Sequence, residues 1–133
     1  MTVGPGRVFS LSEANELIPV VSELTAGVVE HLEAIRQRHA LHESEVEEYL
    51  PERVLKEIEQ TLHQWSEGIQ QLGAMPKGYF TVDFQSLDPE LLYCWTYGED
   101  RIGYTHKAWE NFLHRRPLSG GKVGAADHLK WIN

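Results

Sequence analysis

Apolar residues recur at helical spacing along the first half of the chain and alternate at strand spacing along much of the second. Leu17, Val21, Leu24, Val28 and Ile35 step by fours and threes, with His31 filling the slot between the last two. Carried further, the stripe lands on Arg38 and His42 and turns polar. Ser10 with Glu13 three residues on makes a capping box, and Phe9 before the cap can staple onto Ala14, so a helix starts near Leu11. Pro19 removes one helical hydrogen bond and predicts a kink or break near the third turn. A second stripe, Leu55, Ile58, Leu62, Trp65, Ile69 and Leu72, follows Pro51 and ends at Gly73. Two such helices form an antiparallel hairpin, and a reversal near Glu48 sets His31 beside Trp65.

Ala74 to Gly78 reads as a punctuated linker. Tyr79 to Phe84 then puts Phe80, Val82 and Phe84 on one face of a strand, with Thr81 and Asp83 on the other. Leu91, Tyr93, Trp95 and Tyr97 alternate with Leu92, Cys94 and Thr96, and the polar run Gly98 to Arg101 lets Ile102 to Thr105 fold back. Pairing Tyr97 with Ile102 places Trp95 opposite Tyr104 and Tyr93 opposite His106, which gathers aromatics and a histidine on one face. Beyond Thr105, Trp109, Phe112 and Leu113 read as the apolar side of a short helix ending before Pro117. The first seven residues read as a frayed lead-in. Residues 119–133 begin Ser-Gly-Gly and read as a tail whose Leu129, Trp131 and Ile132 can dock on a neighbour. The expected architecture is α+β in a single domain. A long antiparallel helical hairpin over 8–73 precedes a small antiparallel sheet, one β-hairpin plus one strand, and a short C-terminal helix over 79–118.

Composition narrows the function. A chain of 133 residues, 41% hydrophobic, can bury one core without staples. The net charge of -8 sits in the helices: 13 acidic and 4 basic side chains lie between Ser12 and Gly73, against 7 and 7 beyond. Such a surface argues against nucleic acid and anionic membranes as partners. A single cysteine and the lack of a basic and apolar opening run point to a reducing cytoplasm. No apolar run approaches the roughly 20 residues of a membrane span.

Candidate chemistry concentrates between Leu91 and Leu118. His106, Glu110 and His114 are spaced by four, so a helix would line them on one face, and His106 with Glu110 is the pair expected to present an imidazole and a carboxylate to a divalent metal ion. Asp83 or Glu99 can add a third oxygen. Trp95, Tyr104 and Arg115 complete a set suited to a small anionic ligand. By the expected alternation Cys94 lies on the face opposite His106, without a base to activate it. The Glu-x-x-His pairs of a di-iron bundle and the glycine-rich loop of a phosphate site are absent.

The blocks FSLSEANELIP, GYFTVDF and LYCWTYGEDRIGYTHKAWENFLHRRPL resemble the bacterial and archaeal family known as domain of unknown function 2203, over most of the chain up to Leu118. Phe9, Glu13, Ala14 and Pro19 carry the first block, and Asp83 and Phe84 the second. Cys94, Trp95, Gly98, Glu99, Gly103, Tyr104, His106, Glu110, Phe112, Arg115, Pro117 and Leu118 carry the third. Thr105, Lys107 and Asn111 depart from the usual pattern. The resemblance supports the fold and marks the third block, and it implies no reaction. Two readings follow. The first is an interaction module, a homodimer through the acidic helices with an aromatic sheet face for a protein partner. The alternative is a metal- or anionic-metabolite-binding protein, catalytic in one form, with its site around His106 and Glu110.

Overall fold

The computed structural model describes residues 7–39 and 50–118. Two helices, α1 (Leu11–Arg38) and α2 (Glu52–Gln71), pack antiparallel. The capping box forms: Ser10 Oγ accepts the Glu13 N–H, and Glu13 Oε1 accepts the Ser10 N–H. Phe9 and Ala14 are both fully buried, as a staple requires. Pro19 does not break α1. It lies on the exposed side, where water can serve the carbonyl its ring leaves without a donor.

The seam between the helices differs from the expected stripes. α1 buries Ala14, Ile18, Val21, Thr25, Val28 and Ile35, and α2 buries Val54, Thr61, Trp65 and Ile69. Leu55 and Leu62, expected inside, are 43% and 40% exposed. The register follows from one polar atom. Trp65 Nε1–H, buried, needs an acceptor, and Thr25 Oγ1 supplies it at 2.8 Å while donating its own proton to the Val21 carbonyl at 2.7 Å. Trp65 therefore lies beside Thr25, not His31. His31 is half exposed and lies 3.4 Å from Glu57, which also takes Arg38 at 2.8 Å. The expected reversal near Glu48 and the slot at His42 lie outside the described residues.

α2 ends in a Schellman motif. Gly73 N–H bonds the Gln70 carbonyl and Ala74 N–H the Ile69 carbonyl, with Gly73 at φ +91°. Arg7, expected in the lead-in, donates to the Leu72 carbonyl at 2.8 Å and stacks on Phe9.

The sheet has five antiparallel strands in chain order: β1 (Met75–Lys77), β2 (Thr81–Gln85), β3 (Leu91–Thr96), β4 (Tyr104–Lys107) and β5 (Arg116–Pro117). The architecture is α+β, but the sheet is larger than one hairpin plus one strand. The expected linker supplies β1, joined to β2 by a tight turn in which Tyr79 and Phe80 adopt left-handed φ values of 58° and 53°. The expected C-terminal helix is not formed among the described residues. In its place stand β5 and a single 3-10 turn, Phe112–His114, capped by Asn111 Oδ1. Trp109 and Leu113, 68% and 84% exposed, do not pack as a helix side would. The reading of 119–133 as a tail lies outside the described residues.

Val82, Phe84 and Trp95 line the inner face of the sheet and pack with Phe9, Ile18, Val21, Trp65 and Ile69. Phe84 meets Phe9 edge-on at 5.3 Å, and Phe80 meets Trp65 at 5.1 Å. Among the described residues no helix is long and apolar enough to cross a membrane.

Candidate functional site

The opposite, outer face of the sheet is built from the positions that alternate with Val82, Phe84 and Trp95. β2 and β3 pair Asp83 with Cys94, and β3 and β4 pair Cys94 with Tyr104 and Leu92 with His106. Side chains of paired residues lie on the same face. Asp83, Cys94, Tyr104 and His106 therefore share one face. This register is one residue away from the expected pairing of Trp95 with Tyr104, and a shift of one moves every β4 side chain across the sheet relative to β3.

Glu99 closes the turn that accompanies this register. Its N–H bonds the Thr96 carbonyl at 3.0 Å, and its carboxylate accepts the Thr96 N–H at 2.8 Å, so the chain reverses around Glu99, with Gly98 at φ +105°. Trp95 consequently faces the core, fully buried, with its indole N–H on the Glu99 carbonyl at 2.9 Å. Trp95 is not part of the outer-face cluster. Cys94, expected on the face away from His106, is beside it.

Three donors converge there. A carboxylate oxygen of Asp83, the Cys94 sulfur and a ring nitrogen of His106 all lie within 4.8 Å of one another, and the residues are 2%, 0% and 2% exposed. His106 Nδ1 lies 2.8 Å from the Lys107 carbonyl, which can only accept, so Nδ1 carries a proton. Nε2 lies 3.1 Å from each Asp83 oxygen, so one more proton is shared between ring and carboxylate. With both ring nitrogens engaged, His106 has none left to act as a base toward Cys94. Burial first, then the negative charge of Asp83, pushes the Cys94 thiol far above its ordinary range, and the thiol donates a hydrogen bond to Asp83. Nucleophilic catalysis by Cys94 does not fit this arrangement. Lys77 Nζ, on a half-exposed side chain at the sheet edge, reaches to 3.9 Å from Asp83.

The remaining candidates fall into two groups. Arg115 and Glu99 form a 2.5 Å ion pair, each side chain 11% exposed, and the guanidinium stacks over Tyr104 at 3.9 Å and Phe112 at 4.6 Å. Burial raises the Tyr104 phenol, with Arg115 opposing. Glu110 stands apart. It accepts the Lys107 N–H at 2.9 Å and grips both guanidinium nitrogens of Arg116 at 2.8 Å. His106, Glu110 and His114 do not share a helix face, because His106 ends in β4 and His114 bonds Asn111. A shallow depression along Glu59, His63 and Glu67 of α2 lies on an exposed helix face, away from this cluster.

Residues 7–118 match the family model described as an uncharacterized conserved protein, DUF2203. The chain belongs to the DUF2203 family. No curated protein and no solved structure matches it. The span matched in DUF2203 holds every residue of the outer-face cluster. Sequence reasoning missed two of them: Cys94, through the one-residue register, and Lys77, through reading β1 as a linker. The signal for Cys94 was the Thr96 to Glu99 spacing, at which the Glu99 side chain and N–H both bond back to Thr96.

Proposed function

We propose that this DUF2203 protein binds a divalent transition-metal ion, of the zinc class, through Asp83, Cys94 and His106. One observation carries the reading: a carboxylate, a thiol and an imidazole from three adjacent strands converge within 4.8 Å in a buried setting. The hydrogen bond from His106 Nδ1 to the Lys107 carbonyl supports it. A metal-binding histidine characteristically anchors its second nitrogen on such a carbonyl, which leaves Nε2 as the ligating atom. In the metal-free protein the proton between His106 and Asp83 and the proton on Cys94 occupy the place of the cation, and both leave when it binds. Zinc bonds of about 2.0–2.3 Å hold ligands roughly 3.5 Å apart, so the farthest donors need to close by only about 1 Å. Mixed nitrogen, oxygen and sulfur donors suit zinc or cobalt far better than magnesium or calcium.

Cobalt titration of the full chain, followed by absorption, tests this. One equivalent is expected to give a thiolate-to-metal charge-transfer band that Cys94→Ser abolishes, with His106→Ala and Asp83→Ala weakening retention of zinc. A folded wild-type protein that shows no band and retains no zinc against a weak chelator would reject the site.

Self-association through the helices stands as a second reading on a separate observation. Val20, Leu55 and Leu62 are 49%, 43% and 40% exposed. α1, at 1.5 Å per residue, runs about 42 Å, whereas β3, of six residues, spans only about 20 Å. The buried Ile35 and Val54 lie outside the core cluster that the sheet covers.

A further inference from the structure

Over Tyr104, on the face that carries the three donors, one buried atom has nothing to bind. Arg115 Nε is the one buried side-chain nitrogen or oxygen among the described residues that lacks a hydrogen-bond partner. The rest of the side chain is firmly held: Nη2 donates to Glu99 Oε2, and the guanidinium plane lies against Tyr104 and Phe112. Buried N–H groups left without an acceptor are rare, because each forfeits the bond it made to water. It belongs to the same face as the cluster: Tyr104, which the guanidinium covers at 3.9 Å, is the strand partner of Cys94.

Two further features ask for an anion at the same place. Three protein donors leave one position of a tetrahedral cation open, the arrangement of zinc sites that take up a ligand. Charge points the same way: Lys77 Nζ stands 3.9 Å from Asp83, and the Arg115 guanidinium lies over Tyr104 of the same face. The Phe112 ring, 42% exposed, stands beside the guanidinium as an apolar wall.

We propose that the loaded site takes a small carboxylate with an apolar body, one oxygen on the cation's open position and the other accepting from Arg115 Nε–H, with the body against Phe112. The inference rests on the metal reading given above. It assigns Arg115 a role in ligand recognition, with Glu99 holding the guanidinium in position through Nη2.

The test uses the cobalt-loaded full chain, with benzoate as the probe and inorganic phosphate as the comparison. Benzoate is expected to shift the cobalt absorption spectrum saturably. In Arg115→Lys, which keeps the charge but loses the Nε donor, benzoate should bind at least about ten-fold more weakly, the loss of one charge-assisted hydrogen bond, while cobalt is still taken up. Phe112→Ala, at a half-exposed position that leaves the ion pair intact, should weaken benzoate more than acetate. A cobalt spectrum indifferent to benzoate, a response to phosphate alone, or equal benzoate affinity in Arg115→Lys and wild type would each overturn the proposal while leaving the metal site standing. If no cobalt binds, the metal reading falls and takes this one with it.

Discussion

Asp83 and His106 are nearly inaccessible, and each is the other's main polar partner. Removing one member of such a pair strands the other without water or counter-charge, so His106→Ala should cost about 3–5 kcal/mol in denaturant unfolding of the metal-free protein. A loss below about 1 kcal/mol would show that the pair is far wetter than its burial implies. Cys94, buried and held as a thiol, should resist a thiol-directed reagent in the folded metal-free protein and react promptly once denaturant is added. Equal rates in both states would contradict the packing. Glu110 shows the opposite shift, held at about 2 by Arg116 first and then by the Lys107 N–H, from an ordinary value of 4.5. A carboxylate with a depressed folded pKa stabilises above its unfolded value, and that contribution is lost as pH falls toward the folded one. Glu110→Gln should therefore be less stable than wild type above about pH 5, with the difference closing toward pH 2 and shrinking in high salt. A difference that stays constant over that range would remove the ion pair from the account.

At the scale of elements, caps and turns place the site more than strand propensity does. Gly73 ends α2 in a left-handed conformation, and a Cβ there would stand 2.5 Å from Arg7 Cδ. Gly73→Ala should lose about 1–2 kcal/mol to backbone strain alone, with the arginine cap on Leu72 displaced as well. Equilibrium denaturation checks this, with Gly98→Ala as a comparison, because Gly98 has positive φ but nothing within 4 Å of a new Cβ. If both variants lose the same amount, the Arg7 contact contributes nothing. The turn at Glu99 bears directly on the proposed site. It closes on Thr96 in the register that brings Tyr104 and His106 to the face of Cys94, so a one-residue insertion beside Glu99 should abolish metal retention even where the sheet survives.

For the molecule as a whole, the sheet covers one stretch of the helical hairpin and leaves apolar side chains half exposed on both helices. A homodimer through that surface is the expected state at tens of micromolar, and Leu62→Asp should shift light-scattering mass to the monomer without changing the helical signal. Wild-type protein already monomeric at that concentration would end the idea. Val28 is unsuitable for the same test, because it is buried within the core and its replacement by Asp would unfold the chain. The outer face of the sheet and the helices lie on opposite sides of the core, so losing the dimer should leave zinc retention intact.

What the sequence determined by itself is local. The capping box at Ser10, the stop at Gly73 and the inward alternation of Val82 and Phe84 were legible, because each depends on residues within a few positions of one another. Side-chain identity also pointed to the stretch from Leu91 to Leu118, which supplies Cys94 and His106 of the buried trio, while Asp83 comes from β2. Only the tertiary structure decided who meets whom. Trp65 found Thr25 across 40 residues through one hydrogen bond, although His31 fitted the apolar period better. Cys94 joined Asp83 through the pairing of β2 with β3, and His106 reached the same face through a pairing of β3 with β4 one residue away from where loop length placed it, with Glu99 closing the turn. Met75–Lys77 and Arg116–Pro117, too short and too rich in proline to show a strand period, became strands because neighbouring edges offered unpaired backbone groups. Period tells which side of an element is apolar. Register between elements is fixed by a few polar atoms that must be paired once buried, and those pairings form only in the folded chain.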